Sequence, residues 1–299
     1  MRFLFICMVL ILAACSSTQE KRTEEPSSNI TNESFKKERA LSNTEVSDFY
    51  AGNTKALSPA LQDETLGRFT QDEVKEMSGS NDPLTSMAVL CAQGEFDKAF
   101  ATASKAFNSY QKVAAYWNQV ANCHLSQGST RKALLFYNKA LEVSKDYVPA
   151  LNNIGVLYAR TGQDQKALIA FEKASSHGKF AKTPRYNLGK LYLTYGLTDK
   201  ALTIFEGLLQ GAPNDVDLLN SVASAYFIQG DYQKAAGTYQ RIPNSLWSNP
   251  EIGLNLSYTL KMLGRDKDAI KVFNSVAKSK NPELKRYHSV VQSKLGGEG

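Results

Sequence analysis

Six glycines recur along this 299-residue chain at a constant interval of 34 residues. An alanine stands five residues after each glycine, and in five of the six cases a large aromatic residue follows four residues later. A fixed period of this length indicates a structural unit that buries its apolar face by stacking on its neighbours. The glycines are Gly94, Gly128, Gly162, Gly196, Gly230 and Gly264, and the alanines are Ala99, Ala133, Ala167, Ala201, Ala235 and Ala269.

This pattern resembles the tetratricopeptide family, whose 34-residue repeat is a hairpin of two helices. The glycine allows the left-handed turn between the helices, and the alanine lets them approach closely. The resemblance covers about residues 80–283. It implies an all-α fold, a right-handed α-solenoid of about six helical hairpins with a C-terminal capping helix. The first repeat departs most, because Ala103 replaces its aromatic residue, and the last repeat has Gly253 in the tryptophan slot.

The segments that flank the repeats are predicted to be helical covers. Ser42 with Glu45, and Thr70 with Glu73, have the spacing of capping boxes, which predicts short helices between residues 41 and 79. After the last repeat, apolar residues follow one helical stripe from Pro282 onward. A solenoid end needs a polar outer cover, so we interpret residues 284–299 as a capping helix with a frayed tail.

The chain begins with an apolar segment that ends abruptly at a cysteine. The run from Phe3 to Ala14 has twelve residues, whereas a helix that crosses a bilayer needs about 20. A basic residue before the run and small residues at its end are typical of a secretory signal peptide over residues 1–14. The stretch Leu-Ala-Ala-Cys that ends at Cys15 resembles the lipobox of bacterial lipoproteins. An ordinary signal peptide with a chance cysteine is the alternative.

The lipobox resemblance implies that Cys15 becomes the first residue and carries the lipid anchor. Several acyl chains hold a protein stably at a membrane, whereas one chain is marginal. Ser16 follows, where an aspartate would signal retention at the inner membrane, so the outer membrane is favoured. Residues 15–40 are mostly polar, and this composition predicts a flexible tether between the anchor and the repeats.

Composition and motifs argue against nucleic-acid binding and catalysis. The net charge is +6, and Lys and Arg are scattered along the chain rather than grouped. The sequence has no nucleophile elbow, phosphate-binding loop, dinucleotide fingerprint or zinc motif. Its three histidines are far apart, and His124 occupies a packing slot of the repeat. We therefore expect no enzymatic activity, no cofactor and no metal, with an enzyme subunit as a minor alternative.

Two cysteines remain in the repeats, Cys91 and Cys123. They lie in the first helices of adjacent repeats, two residues out of phase. A pair of small buried thiols is the favoured interpretation. A disulfide between the two repeats is the alternative, which depends on the distance between their α-carbons.

The first helices of tetratricopeptide repeats line a concave groove, so the resemblance places a set of polar residues there. Slots are counted along the 34-residue repeat so that the turn glycine is the fifteenth. Asparagine recurs at the sixth slot, nine residues before this glycine, as Asn153, Asn187 and Asn255. A carboxamide donates and accepts, so it can pair with an extended peptide backbone. Asparagine is also a weak helix former, so its recurrence favours binding over a merely polar helix face. The predicted binding residues are Asn118, Gln119, Asn122, Asn152, Asn153, Arg160, Tyr186, Asn187, Lys190, Asn220, Ser221, Ser224, Asn255, Tyr258 and Lys261.

The sequence thus predicts an outer-membrane-anchored periplasmic scaffold that binds a protein or an extended peptide in its groove. Arg160, Lys190 and Lys261 are expected to engage an acidic side chain or a terminal carboxylate. Lipoproteins of this plan include the pilotins of the type IV pilus, which the chain resembles in architecture, and regulators that recruit cell-wall enzymes. A structural or motility-associated surface lipoprotein without a groove ligand is the alternative from a different class.

Overall fold

The computed structural model of the protein describes residues 71–177 and 182–296, and in these ranges the fold is all-helical, without a strand. The all-α solenoid predicted from the sequence is thereby confirmed. The signal peptide, Cys15, the tether and the predicted helices before residue 71 lie outside the described residues. In the described part of the chain, each helix is too short or too polar to span a bilayer.

Fourteen α-helices follow one another in the two described ranges. The first, α1, precedes the repeats, twelve helices form six hairpins, and α14 follows them. Their bounds are α1 (Gln71–Met77), α2 (Pro83–Ala92), α3 (Phe96–Tyr110), α4 (Ala114–Ser126), α5 (Thr130–Val143), α6 (Val148–Arg160), α7 (Asp164–His177), α8 (Lys182–Thr194), α9 (Thr198–Gly211), α10 (Val216–Gln229), α11 (Tyr232–Tyr239), α12 (Pro250–Met262), α13 (Asp266–Ser275) and α14 (Pro282–Lys294).

The hairpins stack in chain order. The even-numbered helices α2 to α12 are the first helices of the repeats, and the odd-numbered helices α3 to α13 are the second helices. Each first helix packs on its own second helix, and the second helices α3 to α11 also pack on the next first helix. Helix α14 packs on α12 and buries Leu284, Tyr287 and Val291.

The periodic glycines and alanines have the roles that their spacing predicts. All six glycines have positive φ, between 71° and 81°, which residues with a side chain rarely adopt. At Gly128, for example, the amide bonds to the carbonyl of Leu125, and the amide of Ser129 bonds to that of His124, which closes the end of α4. All six alanines are fully buried. The turns and close helix contacts are therefore confirmed.

A disulfide joins Cys91 of α2 to Cys123 of α4, with the α-carbons 5.3 Å apart. The favoured prediction of two free thiols is wrong, and the alternative is correct. The positions of the two cysteines within their repeats differ by two residues, and the offset between α2 and α4 compensates for this difference. Sequence spacing does not reveal that offset. A bridge that closes a loop of this length contributes about 2–4 kcal/mol to stability.

The fifth repeat explains the unusual glycine in the last one. Helix α11 is only eight residues long and is followed by Pro243 and a short 3-10 helix over Asn244–Leu246. This detour brings the Trp247 carbonyl so close to Gly253 that a Cβ there would overlap it. Glycine thus stands in the tryptophan slot because no side chain fits beside the rerouted chain.

Candidate functional site

The predicted binding residues all lie on the first helices α4, α6, α8, α10 and α12. Arg160 is exposed, and Gln119 and Lys261 are half-buried. The nitrogen of Lys261 forms an ion pair with Asp266 at 3.0 Å. The remaining members are buried in the structure, namely Asn118, Asn122, Asn152, Asn153, Tyr186, Asn187, Lys190, Asn220, Ser221, Ser224, Asn255 and Tyr258.

In the second repeat, a tyrosine of the second helix takes part in a hydrogen-bond network with the polar residues of the first helices. The Tyr137 hydroxyl donates to Asn122 Oδ1 at 2.7 Å. The same oxygen accepts a hydrogen bond from Asn153 Nδ2 of the next repeat at 3.1 Å. Three side chains from α4, α5 and α6 therefore meet at one buried oxygen, and the bond from Asn153 connects two repeats.

The fifth repeat has the same arrangement with serine in place of the first asparagine. Ser224 Oγ and the Tyr239 hydroxyl are 3.0 Å apart, and Asn255 Nδ2 donates to Ser224 Oγ at 3.4 Å. Asn255 Oδ1 in turn accepts a hydrogen bond from the Tyr287 hydroxyl of α14 at 2.8 Å. The polar row thus continues from α10 through α12 to the capping helix.

The third and fourth repeats have phenylalanine where the second and fifth have tyrosine. Phe171 and Phe205 lie over Gly155 and Gly189, where an added Cβ would be 2.6 Å from the ring in each case. Without a tyrosine hydroxyl, the bond between repeats takes another route, from Asn187 Nδ2 to Asn152 Oδ1 at 2.8 Å.

The recurrence of asparagine at the sixth slot therefore has a structural cause that the sequence analysis missed. Asn153, Asn187 and Asn255 each donate to a polar side chain of the preceding repeat. Buried carboxamides need such partners. The sequence does contain a signal for this network. In the second and fifth repeats, a tyrosine on the second helix occurs together with a polar residue at the ninth slot of the first helix.

Three polar atoms of the predicted site stand outside this network. Asn118 Oδ1, Lys190 Nζ and Asn220 Oδ1 are buried and make no hydrogen bond within the described residues. Buried polar atoms are satisfied in the great majority of cases, by protein, water or a ligand. These atoms belong to α4, α8 and α10, and an amide oxygen accepts while an ammonium donates. The three buried atoms thus include two acceptors and one donor.

Lys190 also has an unusual electrostatic environment. Burial lowers the pKa of its amine to about 7, and the negative charges of Glu251 and Asp217 oppose this change. Its nitrogen lies 5.9 Å from the centre of the Tyr186 ring. Burial likewise raises the pKa of the Glu251 carboxyl, while the charge of Lys190 lowers it. A carboxylate that entered this region would favour the charged form of Lys190.

The histidine and acidic residues of the described ranges form no group of three or more that could hold a metal ion. His124 is stacked between Phe100 and Phe136, with ring centres 4.5 and 5.2 Å away. Burial is the main cause that lowers the pKa of its imidazole. The structure therefore places His124 in an aromatic stack, as expected for a packing position.

Sequence comparison identifies repeats of the tetratricopeptide type in three segments. Tetratricopeptide repeat families match residues 114–147, 148–176 and 186–250. The comparison with curated protein sequences found no match.

Solved structures with similar folds include two type IV pilus proteins and a peptide-binding protein. PilF of Pseudomonas aeruginosa is 17% identical with a TM-score of 0.60, over 73% of this chain and 98% of PilF. PilW, described as a widely conserved type IV pilus biogenesis factor, is 18% identical with a TM-score of 0.57, over 69% and 99%. YrrB, described as having an unusual peptide-binding site, is 19% identical with a TM-score of 0.52, over 64% and 96%. At these identities the likeness concerns the fold.

Proposed function

Because residues 114–176 and 186–250 of this chain are tetratricopeptide repeats, we propose that it is a non-enzymatic adaptor that binds a segment of another protein along its first helices. Repeats of this kind form scaffolds for interactions between proteins. The observation that carries the proposal is the set of buried polar atoms without a hydrogen-bond partner, on Asn118, Lys190 and Asn220.

The chemistry of these atoms favours an extended, acidic segment. Amide oxygens of Asn118 and Asn220 accept hydrogen bonds from backbone N–H groups, and the Lys190 ammonium donates to a carboxylate. Arg160, exposed at the end of α6, adds a second positive charge on the first helices. A bound carboxylate would also compensate the burial of Lys190, so the amine would be charged in the complex and partly neutral without it.

We further propose that the adaptor is anchored to the periplasmic side of the bacterial outer membrane through a lipid on Cys15. The lipobox at residues 12–15 motivates this assignment. The disulfide between Cys91 and Cys123 supports an exported protein, because disulfides persist in oxidising compartments such as the periplasm. The likeness in fold to PilF and PilW makes a pilus or secretion complex the first candidate for the machinery served, ahead of cell-wall enzymes.

A Cys15→Ser variant tests the anchor. We expect an unprocessed precursor that no longer fractionates with the outer membrane. The matched control is Ser16→Ala, which leaves the lipidated position intact and should fractionate as wild type. A serine variant that remains in the outer-membrane fraction at the wild-type level would exclude a lipid anchor at this residue.

A quantitative pull-down from solubilised membranes tests the binding face. A triple variant, Asn118→Ala with Lys190→Met and Asn220→Ala, should lose the partner, while Lys271→Met on the exposed side of α13 should retain it. A far-UV circular dichroism melt verifies that the triple variant is folded. If the triple variant recovered as much partner as the wild type, the first helices would be excluded as the binding face.

The polar network between repeats favours a second candidate, a structural spacer without a ligand. In that function the buried asparagines serve only to fix the stacking of the repeats, as the bonds of Asn153 and Asn187 do. The two candidates differ in the pull-down, since a spacer has no partner that depends on Lys190.

A further inference from the structure

Two aliphatic side chains stand out on the second helices of the N-terminal half. Leu135 of α5 is 64% exposed and Ile169 of α7 is 63% exposed, the highest values among the exposed large hydrophobic residues of the described ranges. Both residues occupy the same slot, seven positions after the turn glycine of their repeat. Single exposed apolar residues are common, but these two recur at one slot in consecutive repeats and therefore on the same face of their helices.

The helical geometry puts both side chains on the outer face of the solenoid. Ala133 and Tyr137 of α5 are fully buried. At about 100° per residue, Leu135 points roughly 200° away from Ala133. Ile169 has the same relation to Ala167 and Phe171 of α7. Helix α6 packs against both α5 and α7, so the two second helices flank the same first helix.

Basic residues surround this pair. We define the outer strip as the two aliphatic residues together with the exposed cations of the same two helices, which are Arg131, Lys132, Lys139, Lys166 and Lys173.

The carboxylates of these helices are already engaged. Glu142 forms an ion pair with Lys139 at 2.6 Å, and Lys173 forms one with Asp146 at 3.8 Å. Asp164 and Glu172 each accept a hydrogen bond from a tyrosine hydroxyl of the α8 region. Arg131, Lys132 and Lys166 are exposed cations of the outer strip outside these two ion pairs, and they lie three or four residues before Leu135 or Ile169.

The next second helix is different. In α9 the equivalent slot holds Thr203, and Asp199 stands four residues before it, where α5 has Arg131. Helix α9 thus lacks the exposed aliphatic residue at this slot and, with the same length of 14 residues, provides an internal control.

We propose that the outer strip docks on an anionic lipid surface, with Leu135 and Ile169 inserted at the headgroup boundary and the lysines among the phosphates. Amphipathic helices bind membranes in this way when aliphatic residues are flanked by Lys and Arg. The strip lies on the exposed outer face of the second helices, where projecting side chains suit a flat lipid surface better than a ligand that needs a cleft. The docking goes beyond the proposed binding of a protein segment on the first helices and does not depend on it.

Methyl NMR of the full chain on lipid nanodiscs tests the proposal. The nanodiscs contain phosphatidylcholine with or without phosphatidylglycerol, and a small fraction of lipid with a gadolinium chelate. We expect the methyl signals of Leu135 and Ile169 to be lost on the anionic discs and retained on the neutral ones. Ile270 of α13 is also exposed, at 43%, and its signal should be retained on both.

Charge variants separate lipid docking from other contacts. Lys132→Glu with Lys139→Glu should restore the lost signals on anionic discs, as should about 0.5 M salt through screening. Thr203→Glu on α9 is the matched control and should change nothing. These exposed substitutions are expected to leave the fold intact, which a thermal melt checks.

Three results would overturn the proposal. The first is retention of the Leu135 and Ile169 signals on anionic discs, and the second is equal loss at Ile270. The third is a dimer in sedimentation that Leu135→Glu disperses, which would assign the strip to a second copy of the chain. Failure of the pull-down would instead concern only the first helices, so the two proposals fail separately.

Discussion

The second and fifth repeats fill the gap beside their first helices with a tyrosine, whereas the third and fourth fill it with a phenylalanine. Each tyrosine hydroxyl meets a polar residue of its first helix, Asn122 or Ser224. Each phenylalanine ring instead lies over a glycine, Gly155 or Gly189. The small slot of the first helix and the aromatic slot of the second helix therefore change together.

This difference determines which polar groups of the first helices are occupied by the fold. In the tyrosine repeats the polar side chain at the ninth slot is hydrogen-bonded to the tyrosine hydroxyl. In the fourth repeat the ninth slot holds Lys190, whose amine has no hydrogen-bond partner among the described residues. A chain that needed only stable stacking would have little reason to bury an amine there, since its desolvation is costly. The fourth repeat thus leaves a buried amine of its first helix outside the polar network.

The largest effect is expected from crowding a phenylalanine repeat. Gly189→Ala places a Cβ 2.6 Å from the Phe205 ring, and overpacking of this kind costs about 1–3 kcal/mol of unfolding free energy. Gly237→Ala in α11 is the control, since nothing lies within 4 Å of its Cβ position, and it should stabilise the helix by about 0.5–1 kcal/mol. Denaturant titration measures both. A neutral Gly189→Ala would show that the glycine and the ring are not coupled.

A smaller effect is expected from removing a tyrosine hydroxyl. Tyr239→Phe deletes the bond to Ser224 and should cost about 0.5–1.5 kcal/mol. Phe171→Tyr introduces a hydroxyl at the same slot of the third repeat, where the ninth slot is the apolar Val156, so this change should also destabilise. If chemical denaturation found Phe171→Tyr to be stabilising, the two kinds of repeat would be interchangeable, contrary to the comparison.

A change in the pH dependence of stability, rather than in stability at neutral pH, is expected at Lys190. The pKa of its amine is about 7 in the folded chain and ordinary in the unfolded chain, so the folded state binds fewer protons between these two values. Stability of the wild type should then rise as the pH increases from about 7 towards 10. Lys190→Met removes this contribution, so denaturation curves of the variant should be less dependent on pH over this range. An unchanged slope would mean that Lys190 is not buried in solution.

Periodicity alone was enough to predict the turns and the close helix contacts, because glycine with positive φ and buried alanine are required by local geometry. The asparagine row was located correctly on the first helices, but its partners were not foreseen. Asn187 bonds to Asn152, 35 residues earlier, and such a pair is set by the stacking of two repeats. Comparison of the small and aromatic slots in the second to fifth repeats would have revealed that alanine occurs with tyrosine and glycine with phenylalanine.

Other features depended on the course of the chain in space. The bridge between Cys91 and Cys123 requires the offset of α2 and α4, which no single helix encodes. The role of Gly253 requires the short helix α11 and the position of Trp247. In the same way, the missing hydrogen bond of Lys190 is a property of everything that packs around it rather than of its slot.

The affinity of the partner segment for Lys190→Met tests the central claim most directly. Once the partner is recovered and its binding segment is defined, titration calorimetry with wild type and variant gives both dissociation constants. A hydrogen bond to a charged group contributes about 1.5–3 kcal/mol, so the variant should bind roughly 10- to 150-fold more weakly, while Lys271→Met binds as wild type does. Equal affinities for wild type and Lys190→Met would contradict the claim that the polar atoms of the first helices form the binding site.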